Sequence, residues 1–305
     1  MDNKRSYFIV NPAAAHGKAR TQWPELLRMI TAQGTAMDWQ FTDCPGHATS
    51  LAQEAAQNGF GRIVAVGGDG TVNEVVEGLA NLPDTVQPVL GIVGLGTGND
   101  LIKTLGIPLD PKMAIERLQN GSEIQIDLGS VRYIDFQSEP QQRYFANIAA
   151  LGFAADVVVA TNAMGKWLRG TLPYLLGLAK TFATFRNQPM RISYDGRIWQ
   201  GMSSLAVIAN CQYFGGGMKV APQADPSDGF LDLVILENLS KAELARHFPK
   251  VYRGDHLQIP QVKTLRGRQI EITSETTCLF QVEGDVVGTT PVSINVVPRR
   301  LKVIV

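Results

Sequence analysis

The stretch that decides the fold is residues 64–80, VAVGGDGTVNEVVEGLA. Its apolar start is typical of the end of a buried strand, and the residues from Val72 onward have helical spacing. Between them lies the segment 67–71 (GGDGT), in which three glycines surround one aspartate. Either this is an ordinary strand-to-helix turn, or the backbone has to come close to a charged ligand.

The same order of elements recurs through the first third of the chain. The apolar runs SYFIV, MDWQFT, IVAV and VLGIV each precede a loop and a helical stretch, around 18–33, 47–58, 72–80 and 101–106. Continuous apolar strands that alternate with helices are typical of a parallel sheet covered on both faces. We therefore predict an α/β N-terminal domain built on a parallel, doubly wound sheet.

From about Ile124 the pattern becomes that of an antiparallel β-sandwich. Asp195-Gly196 marks a hairpin, because type I′ turns need a positive φ at both central residues. A helix around Lys241–His247 and a long stretch over 162–187 interrupt the strands. We predict domains over 1–128, with the tail 299–305 packing back on the first, and over 129–298. The predicted strands read IQIDLGSVRYI, YFANIAALGF, MRISYDGRIWQG, SLAVIAN, FLDLVIL, RQIEITS, CLFQVEG and VSINVV.

Composition narrows the function classes. Among 305 residues, 45% are hydrophobic and 18% are charged, so a packed core is expected. Lys plus Arg equals Asp plus Glu at 28 each, which argues against the basic footprint of a nucleic-acid binder. The three cysteines show no paired spacing, and no apolar run approaches the length of a membrane-spanning helix. We expect a cytoplasmic protein.

Three loops follow successive strands of the predicted parallel sheet, and we refer to them as the strand-end loops. They are 11–17 (NPAAAHG), 67–71 (GGDGT) and 94–100 (GLGTGND). Small residues let backbone amides approach phosphate oxygens, and helix N-termini favour anions. Asp69 repels phosphate, so its expected role is to hold Mg²⁺. Ordinary tight turns remain the alternative, although neither a Walker A loop nor a dinucleotide fingerprint fits.

The chain resembles the catalytic domain of the diacylglycerol kinase family. VGGDGTVNEVVEGL, followed about 25 residues later by GTGNDLIKTLGIP, is typical of its bacterial soluble members, which also resemble sphingosine kinases. The resemblance spans nearly the whole chain. It implies an N-terminal domain like that of NAD kinases and phosphofructokinases, and an ATP-dependent kinase that phosphorylates a lipid alcohol, with diacylglycerol the favoured acceptor.

The resemblance also assigns residues to ATP. Lys103, on the short helix after GTGND, would offset phosphate charge, although a solvated helix lysine is an equally good reading. Asp127 matches a family acid at the domain junction and is given only a supporting polar role. The implied ATP contacts are Asn11, Thr42, Gly67, Gly68, Asp69, Gly70, Thr71, Asn73 and Thr97.

A second metal position is implied in the C-terminal half. Hard cations take oxygen ligands, and the segment DPSDGFLD is a tight acidic loop before a strand. The family pattern places the ligands at Asp225, Asp228 and Phe230, the last through its backbone carbonyl. An Asp-rich turn that opens a strand is the alternative reading.

The reaction needs a group that accepts the hydroxyl proton of the acceptor. In the family a turn that usually reads Asp-Gly-Glu carries this base as its second acid. Here the acids are exchanged, giving Glu283-Gly284-Asp285, which we call the acidic turn. By position the base is Asp285, which is one methylene shorter than glutamate, so Glu283 is kept as a sharer of the role. A solvated hairpin acid is the structural alternative.

A lipid kinase must draw its acceptor from a bilayer. The stretch 162–187 is basic, aromatic and leucine-rich, which fits transient contact with an anionic membrane surface. A helix that packs on the sandwich is the competing reading. A homodimer is compatible with the sequence, which contains no signal for it.

Two rival functions stay open. An NAD kinase shares GGDGT, but the continuation VNEVVEGL and the full GTGND segment favour the lipid kinases. A catalytically idle nucleotide- or lipid-binding regulator is favoured only by the exchanged acids of the acidic turn.

Overall fold

The structure, a computed structural model, describes residues 2–32, 34, 36–163 and 172–305, with backbone alone for 2–4 and 172–176. The chain forms two compact units. The first comprises Met1–Leu128, Gly215–Gly217 and Pro298–Val305. The second comprises Gly129–Phe214 and Met218–Val297. The α/β character of the first unit and the antiparallel β character of the second agree with the sequence prediction.

The first unit alternates strands and helices along the chain. Its strands run in the order β2-β1-β3-β4, and the end of the last strand, β14, pairs with β4. All of these pairs are parallel. Its elements are β1 (Asp2–Val10), α1 (Lys18–Ala32), β2 (Met37–Phe41), α2 (His47–Gln57), β3 (Phe60–Gly67), α3 (Asp69–Ala80), β4 (Val89–Gly94), α4 (Asp100–Leu105) and α5 (Pro111–Asn120).

Apolar residues on both faces of this sheet explain why it is covered by helices. On one face Phe8 and Val64 are buried against Trp23 and Ile30 of α1. Helices α2 and α3 also pack against each other, since a Cβ at Gly78 of α3 would lie 2.6 Å from the carbonyl oxygen of Thr49 in α2. Glycine at this position therefore lets the two helices pack closely.

The register of the parallel strands brings the strand-end loops to one edge of the sheet. Val10 of β1 lies beside both Phe41 of β2 and Val66 of β3. Gly67 of β3 lies beside Gly94 of β4. The carboxyl ends of these strands therefore lie side by side, at the edge of the sheet where the helices that follow the strands begin.

The second unit is a set of antiparallel strands with two clusters of buried apolar residues, one that includes Phe145 and Phe280 and one that includes Phe153 and Val207. The circuit β9-β7-β13-β14-β12-β8 closes on itself, because β8 pairs with both β12 and β9. Strands β10 and β11 extend it beyond β9. Beyond β5 (Glu123–Ile134), which begins in the first unit, the elements are β6 (Pro140–Phe145), β7 (Ile148–Gly152), α6 (Phe153–Asn162), α7 (Leu172–Thr184), β8 (Gln188–Tyr194), β9 (Arg197–Ala209), β10 (Leu231–Glu237), α8 (Lys241–His247), β11 (Val262–Gly267), β12 (Gln269–Ser274), β13 (Leu279–Val282) and β14 (Asp285–Ile304).

Two local predictions are confirmed and one is wrong. Asp195 and Gly196 have φ of +46° and +79° at the β8–β9 hairpin, and helix α8 has the predicted bounds. The segment YFANIAALGF is not one strand, because the chain breaks between β6 and β7 and leaves β7 at Gly152, whose φ is +72°.

Part of the basic, aromatic stretch lies outside the described residues, namely 164–171. Most of its described remainder forms α7, where the Phe182 ring centroid lies 5.0 Å from that of Phe153 and 5.5 Å from that of Phe248. At this position the helix packs on the second unit. Among the described helices, none is long and apolar enough to cross a membrane.

Candidate functional site

Asp69 joins the second strand-end loop to the third. Its Oδ2 accepts a hydrogen bond from the backbone N–H of Asn99 at 2.8 Å, and its Oδ1 accepts one from the N–H of Asp100 at 2.7 Å. These amides begin helix α4, so the carboxylate satisfies donors that the helix itself leaves free. Hydrogen bonds to an ionised acceptor are stronger than neutral ones, and this contact therefore ties the two loops together.

The glycines of these loops have two different structural roles. A Cβ at Gly98 would lie 2.3 Å from Asp69 Oδ2, and a Cβ at Gly96 would lie 2.5 Å from the Cα of Gly68. These glycines are needed because the loops touch each other. A Cβ at Gly70 would meet nothing within 4 Å. Of these three positions, Gly70 is the one that leaves open space in front of the backbone.

The first strand-end loop is held to the second by side chains. The Asn11 Nδ2 donates to Thr71 Oγ1 at 2.9 Å, and the Asn11 N–H donates to the Val66 carbonyl. Thr42 follows β2, and its N–H donates to the Val10 carbonyl. The structure therefore brings Asn11, Thr42 and Thr71 to the same edge of the sheet, as the register requires.

Several oxygen atoms near these loops are buried without a hydrogen-bond partner in the described part of the chain. They are Oδ1 of Asn73, Oδ1 of Asn99 and Oδ1 of Asp100. Unsatisfied buried polar atoms are uncommon in native proteins and ask for an explanation. Carboxylate and amide oxygens are also the ligands that Mg²⁺ takes.

Thr97 is exposed on the third strand-end loop.

Asp100 is a site residue that the sequence analysis did not single out, although it stands within the quoted GTGND motif. Its side chain is buried, and burial raises its pKa above the usual range for aspartate. The N–H of Gly216 donates to its Oδ2 at 2.9 Å, and Lys103 Nζ lies 3.8 Å from its Oδ1. Lys103 is therefore placed beside a buried acid.

Gly216 belongs to the run Gly215–Gly217, which is part of the first unit. All three glycines have positive φ, from +61° to +109°. A Cβ at Gly217 would lie 3.0 Å from Lys103 Nζ. Glycine here gives the backbone its left-handed conformation and leaves room for the ammonium group. Asp127, also in the first unit, is fully buried and accepts from the Arg299 N–H at 2.7 Å.

In the second unit the two acids of the acidic turn have different surroundings. Glu283, with a φ of +53°, accepts hydrogen bonds from the N–H groups of Ala146 at 2.8 Å and Asn147 at 2.7 Å. The Asn147 Nδ2 donates to its other oxygen at 3.3 Å. Glu283 is therefore bound to the break between β6 and β7, and its carboxylate has the geometry of a structural anchor.

Asp285 is directed outward. Its side chain is 67% exposed, and its Oδ2 lies 3.3 Å from both Nη atoms of Arg143. Arg143 is a second residue that the sequence analysis did not single out. Nothing in the local pattern marked it, because it is 142 positions from Asp285.

The acidic loop at 225–232 is internally bonded. Asp225 Oδ1 accepts from the N–H of Ser227 at 2.9 Å, and Asp228 Oδ1 accepts from the N–H of Phe230 at 3.0 Å. Asp228 also forms an ion pair with Arg266. In the described residues no group of three or more His, Cys, Asp or Glu side chains is arranged to hold a metal ion.

Asp232, the second residue of β10, adds a titratable group beside this loop. Burial, reinforced by the charge of Asp225, raises its pKa to about 6. Arg266 Nε lies 3.6 Å from its Oδ1, but desolvation outweighs that attraction. The guanidinium groups of Arg266 and Arg268 also stack over the Phe230 ring, at 4.9 and 4.4 Å from its centroid.

Two family models match the chain. Residues 5–131 match the diacylglycerol kinase catalytic domain. Residues 147–305 match a domain described as the YegS C-terminal NAD kinase beta sandwich-like domain. The first match covers most of the α/β unit, and the second covers most of the antiparallel unit together with the tail Pro298–Val305 of the first.

Full-length relatives are similar over nearly the whole chain. A diacylglycerol kinase of Bacillus subtilis is 31% identical over 94% of this chain and 92% of its own length. One from Staphylococcus aureus is 30% identical over 98% of this chain and 92% of its own.

Solved structures extend the likeness to the fold. A diacylglycerol kinase from Bacillus anthracis superposes with a TM-score of 0.73 at 21% identity, over 99% of this chain and 96% of that one. Yeast NADH kinase superposes with a TM-score of 0.57 at 12% identity, over 98% and 82% of the two chains. At such identities these likenesses show the fold alone. From the family models and the full-length relatives, the chain belongs to the diacylglycerol kinase family, and it is a kinase that acts on a lipid alcohol.

Proposed function

We propose that this chain transfers the γ-phosphate of ATP to the hydroxyl of diacylglycerol, giving phosphatidic acid and ADP. The observation that carries the proposal is the set of strand-end loops tied together through Asp69, with unsatisfied buried oxygens beside them. Such an arrangement suits a phosphate donor that must be positioned and neutralised.

ATP would bind on the first unit, at the carboxyl ends of its strands, as in doubly wound NAD kinase-like and phosphofructokinase-like folds. The open space in front of Gly70 supports phosphate approach at that point. Lys103, fixed beside Asp100, would face the phosphates with its charge. The proposed contacts are Asn11, Thr42, Gly67, Gly68, Asp69, Gly70, Thr71, Asn73, Thr97 and Lys103.

Mg²⁺ fits this donor set. Asp69 uses both carboxylate oxygens on backbone amides, so it would act through its remaining lone pairs or through water. The buried Oδ1 of Asp100 has no hydrogen-bond partner in the described residues, with Lys103 Nζ 3.8 Å away, and would add a second hard ligand. When bound, Mg²⁺ supplies neutralisation of the charge on the transferring phosphoryl group.

We propose Asp285 as the catalytic base. Its carboxylate is exposed, whereas that of Glu283 accepts three hydrogen bonds from the β6–β7 break. As the acceptor oxygen bonds to the γ-phosphorus, its proton passes to Asp285, and the bond from that phosphorus to the β,γ-bridging oxygen breaks. Glu283 would support this step by fixing the acidic turn.

A structural cation at Asp225, Asp228 and Phe230 remains part of the proposal. The fit is weaker than at Asp69, because Asp228 is already paired with Arg266 and bonded to the Phe230 N–H. A metal ion would have to compete with the guanidinium group for Asp228. Its expected role is to hold the loop, with no part in phosphate transfer.

The second unit would carry the lipid, and we propose that the protein meets the membrane only at its surface. The exposed Lys180 and Arg186, on and just after α7, support contact with anionic headgroups. Phe182 and Phe185 are directed into the unit, which limits the apolar surface that the described part of this helix offers to a bilayer.

The test is direct. The purified protein is incubated with ATP labelled in the γ-phosphate and a total lipid extract, with NAD in a parallel arm. We expect the label in phosphatidic acid. Label in a different lipid would correct the acceptor, label in NADP would establish an NAD kinase, and label in neither would leave the chain a non-catalytic binder.

A further inference from the structure

The acidic turn presents a base with little support of its own. Aspartate is one methylene shorter than glutamate, so it has fewer ways to adjust its position toward an acceptor hydroxyl. Asp285 is also the first residue of β14, and its side chain is 67% exposed. A carboxylate that only water surrounds would sample several rotamers, and misplacement of a catalytic group by about 1 Å can cost about a hundredfold in rate.

Arg143 supplies the missing support. It stands on β6 opposite Val131 of β5, and its side chain is only 25% exposed. Both of its Nη atoms lie 3.3 Å from the same oxygen of Asp285, Oδ2. In the described part of the chain, Oδ1 of Asp285 makes no hydrogen bond or ion pair. The guanidinium group therefore engages one oxygen of the carboxylate and leaves the other accessible.

The neighbouring backbone holds the other acid of the turn. Glu283 accepts hydrogen bonds from the N–H groups of Ala146 and Asn147, which follow Arg143 by three and four residues. One short segment, 143–147, thus binds both acids of the acidic turn, the first through amides and the second through a guanidinium group. Because the same segment holds both acids, the contact between Arg143 and Asp285 is part of the structure that fixes the acidic turn.

We propose that Arg143 is the positioning residue for Asp285, holding Oδ2 so that Oδ1 accepts the proton of the lipid hydroxyl. The inference rests on the proposed function, because it assumes that Asp285 is the base. An exposed ion pair contributes only about 0–1 kcal/mol to stability. Loss of Arg143 is therefore expected in the rate of phosphate transfer and hardly at all in folding.

The experiment measures kcat and the KM values for ATP and diacylglycerol in mixed micelles, together with urea unfolding, for Arg143→Gln. The matched control is Arg132→Gln, which removes the same charge from an exposed position on the same hairpin. We expect kcat to fall about 10- to 100-fold in Arg143→Gln, with KM for ATP and the urea midpoint unchanged. Arg132→Gln should behave like wild type.

Three further variants separate positioning from a general structural effect. Arg143→Lys should recover part of the lost kcat, and added guanidinium ion at millimolar concentration should raise the rate of Arg143→Ala. In an Asp285→Asn background, Arg143→Gln should cause no additional loss, since the base it positions is absent.

The outcomes are distinguishable. Wild-type rates in Arg143→Gln overturn the positioning role while the proposed function stands. The same follows if Arg143→Gln lowers the rate in the Asp285→Asn background by as much as it does in the wild-type protein. A lower urea midpoint together with failure of Arg143→Lys to recover the rate assigns Arg143 to folding instead. A wild-type protein that transfers no phosphate to lipid overturns both proposals.

Discussion

Replacement of Asp69 by alanine tests the view that this residue ties the strand-end loops together. The change removes two charge-assisted hydrogen bonds, to the N–H groups of Asn99 at 2.8 Å and Asp100 at 2.7 Å. Bonds of this kind contribute about 1.5–3 kcal/mol each. Because Asp69 is only half-buried and the two bonds share one group, we expect a total loss of about 2–4 kcal/mol, concentrated in the third loop and α4.

Hydrogen exchange measured by mass spectrometry is the appropriate assay, since it reports local opening that a global melt averages out. We expect faster exchange in peptides covering 95–105 and little change in the second unit. Asp110→Ala is the matched control, because Asp110 caps α5 through Lys112 and Met113 and should affect only that helix. Unchanged exchange over 95–105 in Asp69→Ala would refute the reasoning, whatever happens to activity.

Two further predictions concern glycine and pH. In Gly98→Ala the new Cβ would overlap Asp69 Oδ2, so we expect lower unfolding free energy by about 1–3 kcal/mol in urea titrations. Gly70→Ala has room in the protein and should not lower stability, yet should raise KM for ATP about 5- to 150-fold if a phosphate occupies that space; equal KM values would remove Gly70 from the ATP site. The pKa of Asp232 is raised from 3.8 to about 6. Folding thus favours its neutral form, and the stability it contributes is present below pH 4 and lost as pH rises through 6. Asp232→Asn should therefore be more stable than wild type at pH 7.5 and nearly equal to it at pH 3.5, by urea unfolding at both values; a constant difference would contradict this assignment.

Much of the fold could be predicted because its signals are local. Continuous apolar strands followed by helices marked the α/β half, and the Asp195-Gly196 turn located a hairpin whose two residues have positive φ. The break between β6 and β7 had no such signal. It depends on a tertiary contact, the acceptance of the Ala146 and Asn147 amides by Glu283, which is 137 positions away from the first of them.

Some features of the candidate site also have a local sequence signal, and others depend on tertiary contacts. The strand-end loops were visible as glycine-rich segments, but what each glycine does depends on the neighbour it faces. Gly98 faces Asp69, whereas Gly70 faces open space. The partnership of Gly216 with Asp100 joins residues 116 positions apart. Sequence alone also left Glu283 and Asp285 as joint candidates for the base, since nothing in the order Glu-Gly-Asp states which carboxylate the backbone amides bind.

The division of labour within the acidic turn is the central claim, and two isosteric substitutions test it directly. Steady-state phosphate transfer to diacylglycerol and urea unfolding are measured for Asp285→Asn and Glu283→Gln. We predict that Asp285→Asn loses about 10²- to 10⁴-fold in kcat, the usual contribution of a general base, with wild-type stability. Glu283→Gln should lose stability at the β6–β7 break, with a smaller fall in kcat. Wild-type kcat in Asp285→Asn, with transfer abolished in a stably folded Glu283→Gln, would contradict the account.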